Sequence, residues 1–220
     1  MKIALLDCGI IKDPLRSRSL KIIEKVNQFG YDILRVEVLE NQKIEEELEE
    51  YTHIIISGSG LDFDSHVVGI EYIREVIQRC KTLDINVLGV CFGAQLIAHT
   101  LGGEVEKQQN QEFGFVELEV LEEDELVGEF PQEFHVFEYH YDYIKSLPPH
   151  SILIGKSDKC IQIFKCNNFY GVQFHPEIDS MFAQKEIELI KENQLQENVI
   201  SKDLNYTLPS KIFENFLNIK

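Results

Sequence analysis

This 220-residue chain has no apolar stretch of the length that a membrane-spanning helix needs. Its N-terminal apolar run, at residues 3–7, is too short for the hydrophobic part of a secretion signal and includes an aspartate. We therefore expect a cytoplasmic protein that does not enter the membrane. Internal repeats and low-complexity linkers are also missing, and the length suits one domain over residues 1–220.

The chain is also poor in basic residues and in patterned cysteines. It has 21 lysines and arginines against 38 acidic residues, and the net charge of −17 would repel nucleic acid. The five cysteines form an odd set without close pairs, which argues against disulfides and against a zinc site. They are Cys8, Cys80, Cys91, Cys160 and Cys166. We expect no metal and no cofactor. The acidic runs at 45–50 and 122–125 could dock a basic partner, but solvated helix faces are the preferred interpretation.

Strand and helix patterns alternate along the first half of the chain, which is typical of a parallel sheet with crossover helices. Strands are predicted at 2–7, 32–38, 52–57 and 86–91, and helices near 17–29, 44–50, 67–80 and 92–101. Later segments are strand-like and separated by turns, which predicts antiparallel additions at one edge of the sheet. They lie at 113–121, 133–140, 152–155, 161–165 and 169–175. Helices at 180–199 and 210–217, joined by the polar stretch 201–206, complete a helical extension from about residue 180 to 220. The predicted fold class is a single doubly wound, mostly parallel α/β sheet.

Cys91 lies where an apolar strand enters a Gly-x-Cys-x-Gly turn and then a helical pattern. Gly89 and Gly93 leave room for the strand and the helix to approach, so the pattern predicts a nucleophile elbow. Such a turn should direct the thiol toward solvent, and the helix N-terminus should favour the thiolate. The alternative is a buried structural cysteine in a core turn.

A second strand, at 169–175, ends in His175, followed by a proline and by Glu177. Since the carboxyl ends of parallel strands gather at one edge, His175 and Cys91 are expected to meet. Cysteine, histidine and acid together are the groups that thiol acyl transfer needs.

The small residues after the third strand form a loop, Ser57-Gly58-Ser59-Gly60, whose amides could face an oxyanion. An ordinary turn is an alternative interpretation. A phosphate-binding loop is not supported, because no Gly-Lys-Ser/Thr follows and the next residues include Asp62 and Asp64.

Four motifs in order resemble those of the class I (triad) glutamine amidotransferases, above all the glutaminase domain of GMP synthetase and its free-standing relatives. They are the Cys91 elbow, Glu112-Phe-Gly-Phe115, Glu138-Tyr-His140-Tyr-Asp142 before Leu147-Pro148, and His175-Pro-Glu177. The resemblance implies a flavodoxin-like fold and a triad of Cys91, His175 and Glu177. It also implies an oxyanion hole at Gly58, Ser59 and Phe92, and a glutamine pocket with Gln95, Gly114, Tyr139 and His140.

Three departures from the family pattern stand out. Ser59 takes the place of the second glycine of Ser-Gly-Gly-Pro, and Tyr139 takes the place of a serine before His140. The chain also continues well beyond Glu177, which resembles the free-standing relatives more than the plain glutaminase component of GMP synthetase.

The resemblance implies a glutaminase that forms a γ-glutamyl thioester on Cys91 and supplies ammonia to an acceptor. No nucleotide-binding motif is present to activate that acceptor, so a separate synthetase partner is expected. Two alternatives stay open at this point: a stand-alone hydrolase of γ-glutamyl amides or peptides, and a non-catalytic protein that binds a partner.

Overall fold

A computed structural model describes residues 1–11, 17–45, 47–192 and 207–220. Nine strands form one sheet in the order β2-β1-β3-β4-β9-β8-β7-β5-β6. The strands are β1 Ile3–Asp7, β2 Leu34–Glu37, β3 His53–Ile56, β4 Asn86–Val90, β5 Glu104–Val120, β6 Glu133–Ser146, β7 Ile152–Lys156, β8 Ile161–Cys166 and β9 Phe169–Val172. The helices are α1 Arg18–Gln28, α2 Val68–Leu83, α3 Phe92–Thr100, α4 Ser180–Glu192 and α5 Lys211–Asn218.

The sheet has a parallel half and an antiparallel half, as the sequence predicts. Strands β2, β1, β3, β4 and β9 pair in parallel, and β9 then pairs with β8 in the antiparallel sense. Strands β8, β7, β5 and β6 continue the antiparallel pairing to the edge. A nucleophile at the end of β4 therefore lies beside the end of β9, which is its neighbour in the sheet.

Apolar side chains on both faces bury the inner parallel strands β1, β3, β4 and β9, whereas the edge strand β2 is partly exposed. On one face α2 presents Ile70, Ile73 and Ile77 at helical spacing, and α3 packs beside it. On the other face α1 and α5 contribute Ile22 and Phe213 to a second core. This two-sided burial explains why the parallel strands are continuous apolar runs rather than alternating ones.

Several predicted boundaries differ from the observed ones. The helix predicted near 44–50 is only a one-turn 3₁₀ helix at Leu48–Glu50, and β9 ends at Val172 rather than at His175. Strands β5 and β6 are much longer than predicted. The last part of the helix predicted at 180–199 and the stretch 201–206 lie outside the described residues.

None of the described helices combines the length and apolar character needed to cross a membrane. That the whole chain is one domain stays a prediction, and the sheet itself extends without interruption from β2 to β6.

Candidate active site

The turn between β4 and α3 holds Cys91 in a strained backbone conformation. Its φ of 51° and ψ of −108° lie outside the regions that residues with a side chain favour. A Cβ at Gly89 would come within 2.4 Å of the Gly93 carbonyl carbon, and a Cβ at Gly93 within 2.3 Å of the Ile56 carbonyl oxygen. Both positions therefore require glycine, as the spacing of the motif indicates.

The environment of the thiol differs from the expectation. The Cys91 side chain is buried, with only 4% of the residue exposed. Burial raises the pKa of Cys91 to about 11, although the charges of His140 and Arg18 act in the opposite direction. The prediction of a solvent-facing thiol is therefore wrong, and desolvation is the largest influence on its pKa.

His175 lies three residues beyond β9 and is completely buried. Its backbone amide donates to the Phe137 carbonyl oxygen at 3.0 Å, and its Nδ1 lies 2.8 Å from Glu177 Oε1. Since a carboxylate can only accept, Nδ1 carries the proton and Nε2 is the acceptor. Burial, followed by the charge of Arg18, lowers the pKa of His175 to about 4, although Glu177 acts in the opposite direction.

The loop after β3 brings the cysteine and the histidine to one point. A Cβ on Gly58 would lie 3.2 Å from His175 Cε1 and 3.6 Å from Cys91 Cβ. Ser59 Oγ accepts a hydrogen bond from the Leu61 amide at 3.1 Å, so this side chain stabilises the turn. Phe92 is the first residue of α3, and amides in the first turn of a helix have no acceptor within the helix.

Arg18, which the sequence analysis did not identify, reaches this point from the first residue of α1. Its Nη1 lies 2.5 Å from His175 Nε2, and its Cζ lies 4.6 Å from the centre of the Tyr139 ring. A guanidinium only donates hydrogen bonds, so it occupies the acceptor nitrogen of the imidazole. Nothing in the local sequence around Arg18 could have indicated this contact.

The start of α1 is fixed to the neighbouring strands. Ser17 Oγ accepts from the Leu20 amide at 3.3 Å and caps the helix. Ser19 Oγ donates to Asp7 Oδ1 and also lies 3.3 Å from Ser57 Oγ. The position of Arg18 is thereby coupled to the loop that contacts both Cys91 and His175.

Gln173 is a second residue that the sequence analysis missed. Its Nε2 lies 3.7 Å from Cys91 Sγ, and its Oε1 accepts from Gln95 Nε2 at 3.3 Å. Gln95 also donates to the Asp142 carbonyl oxygen at 2.6 Å. A buried glutamine within the apolar segment 169–175 is the signal that could have identified it.

A cleft of about 320 Å³ opens onto Cys91. Its lining comprises Ser59, Gly60, Leu61, Asp62, Cys91, Phe92, Gln95, Gln111, Tyr139, His140, Tyr141 and Asp142. A larger groove of about 790 Å³ lies around the acidic turn at 122–125, and its lining contains neither cysteine nor histidine. We therefore regard the smaller cleft as the site.

The predicted pocket residues are only partly brought together. Gln95, Tyr139 and His140 line the cleft, whereas the lining within the described chain does not include Gly114. Gly114 lies on β5 opposite Glu138 and has a φ of 102°. A positive φ favours glycine, so the backbone conformation accounts for the glycine at this position of the motif.

Several known proteins are similar to this chain in sequence. A GMP synthase from Thermosipho melanesiensis is 34% identical over 207 residues, which cover 90% of this chain and 37% of that protein. A glutamine-hydrolysing GMP synthase component from Saccharolobus solfataricus is 32% identical over 77% of this chain and 88% of its own length. For the corresponding protein of Pyrococcus abyssi the values are 38% identity over 48% of this chain and 57% of that protein. The match therefore spans less than two thirds of the Thermosipho and Pyrococcus proteins.

Among solved structures, a glutamine amidotransferase from Thermotoga maritima superposes with a TM-score of 0.79. The two chains are 21% identical, and the match covers 99% of this chain and 96% of that one. The fold is therefore that of this enzyme. The family model described as glutamine amidotransferase class-I matches residues 10–191, and the chain belongs to the class I glutamine amidotransferase family.

Proposed function

We propose that this protein hydrolyses L-glutamine through a γ-glutamyl thioester on Cys91 and supplies ammonia to an acceptor on a partner synthetase. The observation that carries the proposal is the meeting of the Cys91 elbow with the His175 and Glu177 pair at Gly58. Family membership supports the choice of glutamine as the substrate.

The proposed reaction begins from a neutral thiol and a neutral imidazole. With a pKa of about 11 for Cys91 and about 4 for His175, both groups are uncharged near pH 7. His175 Nε2 takes the thiol proton as sulfur attacks the side-chain amide carbon, and Glu177 stabilises the resulting imidazolium through Nδ1. Transfer in the transition state avoids a buried thiolate in the resting enzyme.

The amides of Phe92 and of the Gly58–Ser59 loop are proposed to hold the oxyanion of the tetrahedral intermediate. His175 then returns its proton to the leaving nitrogen, and ammonia departs. Water, deprotonated by His175, attacks the thioester, which yields glutamate and the restored thiol. The glutamine side chain is proposed to reach Cys91 through the cleft lined by Gln95, Tyr139 and His140, with Gly114 supporting the neighbouring strand.

The arrangement supports a resting state that awaits a partner. Arg18 occupies His175 Nε2, which is the atom that the thiol proton must reach. The Ser17–Ser19 segment links Arg18 to the Ser57 loop, so a shift of α1 would change both elements together. The relatives named as glutamine-hydrolysing GMP synthase components make a GMP-synthesising partner the first candidate.

The test is covalent labelling with a glutamine-like diazo-ketone, combined with an assay of ammonia release. One label per chain should appear at Cys91, and Cys91→Ser should lose both the label and the activity. Cys166→Ser is a matched control, since Cys166 is another buried cysteine and should leave both unchanged. Labelling at Cys8 or Cys166 instead of Cys91 would contradict the proposal.

A further inference from the structure

Four buried side chains converge on the antiparallel strands, and the proposed reaction leaves three of them unused. Glu112 on β5 is 1% exposed, Glu138 and His140 on β6 are 0% and 5% exposed, and Cys160 just before β8 is 8% exposed. Glu112 and His140 are direct cross-strand partners. Glu138 lies two residues before His140, and therefore on the same face of β6.

The distances among Glu112, His140 and Cys160 are those of neighbouring ligands around one metal ion. Glu112 Oε2 lies 3.4 Å from His140 Nε2 and 3.5 Å from Cys160 Sγ. Glu138 Oε2 lies 3.1 Å from His140 Nε2. Bonds of about 2.0 to 2.3 Å in a tetrahedral zinc site separate adjacent ligand atoms by about 3.3 to 3.7 Å.

Hydrogen bonding accounts for only part of the cluster, since Cys160 Sγ donates to Glu112 Oε2. Within the described chain, both carboxylate oxygens of Glu138 and both ring nitrogens of His140 lack a hydrogen-bond partner. Buried polar groups are rarely left in this state unless something else binds them.

Charge pairing within the cluster is incomplete. The two buried carboxylates lie 3.4 and 3.1 Å from the same imidazole nitrogen, which balances at most one negative charge, and Lys159 is exposed, with its Nζ 3.8 Å from Glu112 Oε1. Buried charges are normally paired or bound to metals. A divalent ion would balance the Glu112 carboxylate together with the Cys160 thiolate that forms when the thiol releases its proton.

We propose that Glu112, His140 and Cys160 bind one zinc ion, since their ligand atoms all lie within 4.8 Å of one another, and that Glu138 lies beside the ligand His140. One oxygen, one nitrogen and one sulfur form a donor set that suits zinc. The site would tie β5, β6 and β8 together next to the cleft residues Tyr139 and Tyr141. The cysteine spacing gave no hint of it, because only one of the three ligands is a cysteine, and the others lie on β5 and β6.

The experiment measures zinc in the purified full-length chain. The protein is treated with a chelator, dialysed against a small excess of zinc chloride, desalted and analysed by plasma mass spectrometry. We expect one zinc per chain in the wild type. Cys160→Ser and Glu112→Gln should bind zinc at least about tenfold more weakly, since even outer-shell changes weaken metal sites by about this factor.

The controls separate this site from other thiols. Cys166→Ser, at a cysteine outside the cluster, and Cys91→Ser should both keep one zinc per chain. A wild type without zinc above the buffer blank would overturn the proposal. Full zinc binding by both Cys160→Ser and Glu112→Gln would overturn it equally.

Cobalt loading of the wild type provides a test that needs no variant to fold. Tetrahedral cobalt with one thiolate should give strong visible absorption and a sulfur-to-cobalt charge-transfer band in the near ultraviolet. Cobalt bound without that band would exclude Cys160 as a ligand and would overturn the proposed site. None of these measurements depends on glutamine hydrolysis.

Discussion

At the scale of single residues, burial shifts the pKa values of Cys91 and His175 in opposite directions, and the two shifts have the same consequence. It raises the pKa of the thiol to about 11 and lowers that of the imidazole to about 4. Both shifts favour the uncharged forms, because a low-dielectric environment penalises charge. The pair is therefore arranged for proton transfer during attack rather than for a standing ion pair.

This pairing predicts an unusually broad pH profile. The groups that act on His175 are Arg18 from α1, Glu177 on its own segment and His140 from β6. Since protonated imidazole cannot accept the thiol proton, kcat/KM for glutamine should fall only as the pH drops toward about 4. Measurement of kcat/KM across acidic and neutral pH locates this decrease, which is the acid limb of the profile. A limb at the ordinary histidine value near 6.5 would contradict the buried, Arg18-bound imidazole.

Removal of the Arg18 side chain should activate the isolated protein. In Arg18→Ala, His175 Nε2 becomes available to the thiol, so ammonia release from glutamine should rise about tenfold or more, as expected for the loss of a charged hydrogen bond. The acid limb should move to higher pH, because the guanidinium lowers the pKa of His175.

The matched control is Lys21→Ala on the same helix. Lys21 contacts Glu24 and Asp179 instead of the histidine, so its removal should leave turnover unchanged. If Arg18→Ala lowers turnover while Lys21→Ala does not, Arg18 assists the reaction and does not restrain it.

Substitution of the base and of its orienting acid should have unequal effects. His175→Ala should lower turnover by roughly 10² to 10⁴-fold or more, since general acid and base assistance is lost at each step. Glu177→Gln keeps a hydrogen-bond acceptor near Nδ1 of His175 and should lower turnover by a smaller factor. Steady-state kinetics on folded variants measures both. Unchanged turnover in His175→Ala would remove the histidine from the mechanism.

The sequence identifies the site residues that belong to recognisable local motifs. It does not identify residues that only the fold brings to the site. Cys91, His175 and Glu177 follow strands and carry reactive groups, so their meeting could be predicted. Arg18 reaches the site only through the position of α1, and that position depends on contacts such as Ser19 with Asp7. Likewise, the raised pKa of Cys91 follows from burial, which a motif does not report.

At the scale of elements, apolar periodicity predicts the parallel half well and the antiparallel half less well. Strand β5 begins at Glu104, although Val105 is the one apolar residue in 104–112 and the segment shows no alternation of a half-buried strand. Backbone pairing with residues 140–146 of β6 stabilises this segment instead. A polar segment that is held mainly by backbone pairing lacks the apolar pattern from which strands are predicted.

The contact of α2 with the 3₁₀ helix at Val38–Glu40 gives a prediction at this scale. A Cβ at Gly69 would lie 2.3 Å from the Val38 carbonyl oxygen. Alanine normally stabilises a helix relative to glycine, but here the clash should dominate, and Gly69→Ala should lower the free energy of unfolding by about 1 to 3 kcal/mol. Urea unfolding followed by circular dichroism measures the change.

Gly128→Ala is the matched control, because the nearest atom to its Cβ would be 3.6 Å away. Its stability should stay within about 0.5 kcal/mol of the wild type. Stabilisation by Gly69→Ala would show that α2 can move away from Val38 at little cost.

At the scale of the whole molecule, the proposed activity needs a second protein to be useful. In the proposed reaction the Cys91 site would produce ammonia, and the sequence carries no motif that would activate an acceptor. Hydrolysis without an acceptor wastes glutamine, so a resting state in which Arg18 holds His175 is the arrangement expected of a coupled glutaminase. The partner would have to displace that contact.

Coupling predicts that the purified chain alone hydrolyses glutamine slowly. Addition of the GMP-synthesising partner from the same organism, with its substrates, should raise turnover to an ordinary enzymatic rate, on the order of 10 s⁻¹. The turnover of Arg18→Ala should rise less when the partner is added, because this variant already lacks the contact between Arg18 and His175 that the partner has to displace. Ammonia release measured with and without the partner, for both proteins, tests this.

If the chain alone reaches that rate on a γ-glutamyl amide or peptide and prefers it to glutamine, a stand-alone hydrolase is the correct function. If neither condition gives turnover, the chain is a non-catalytic binding protein.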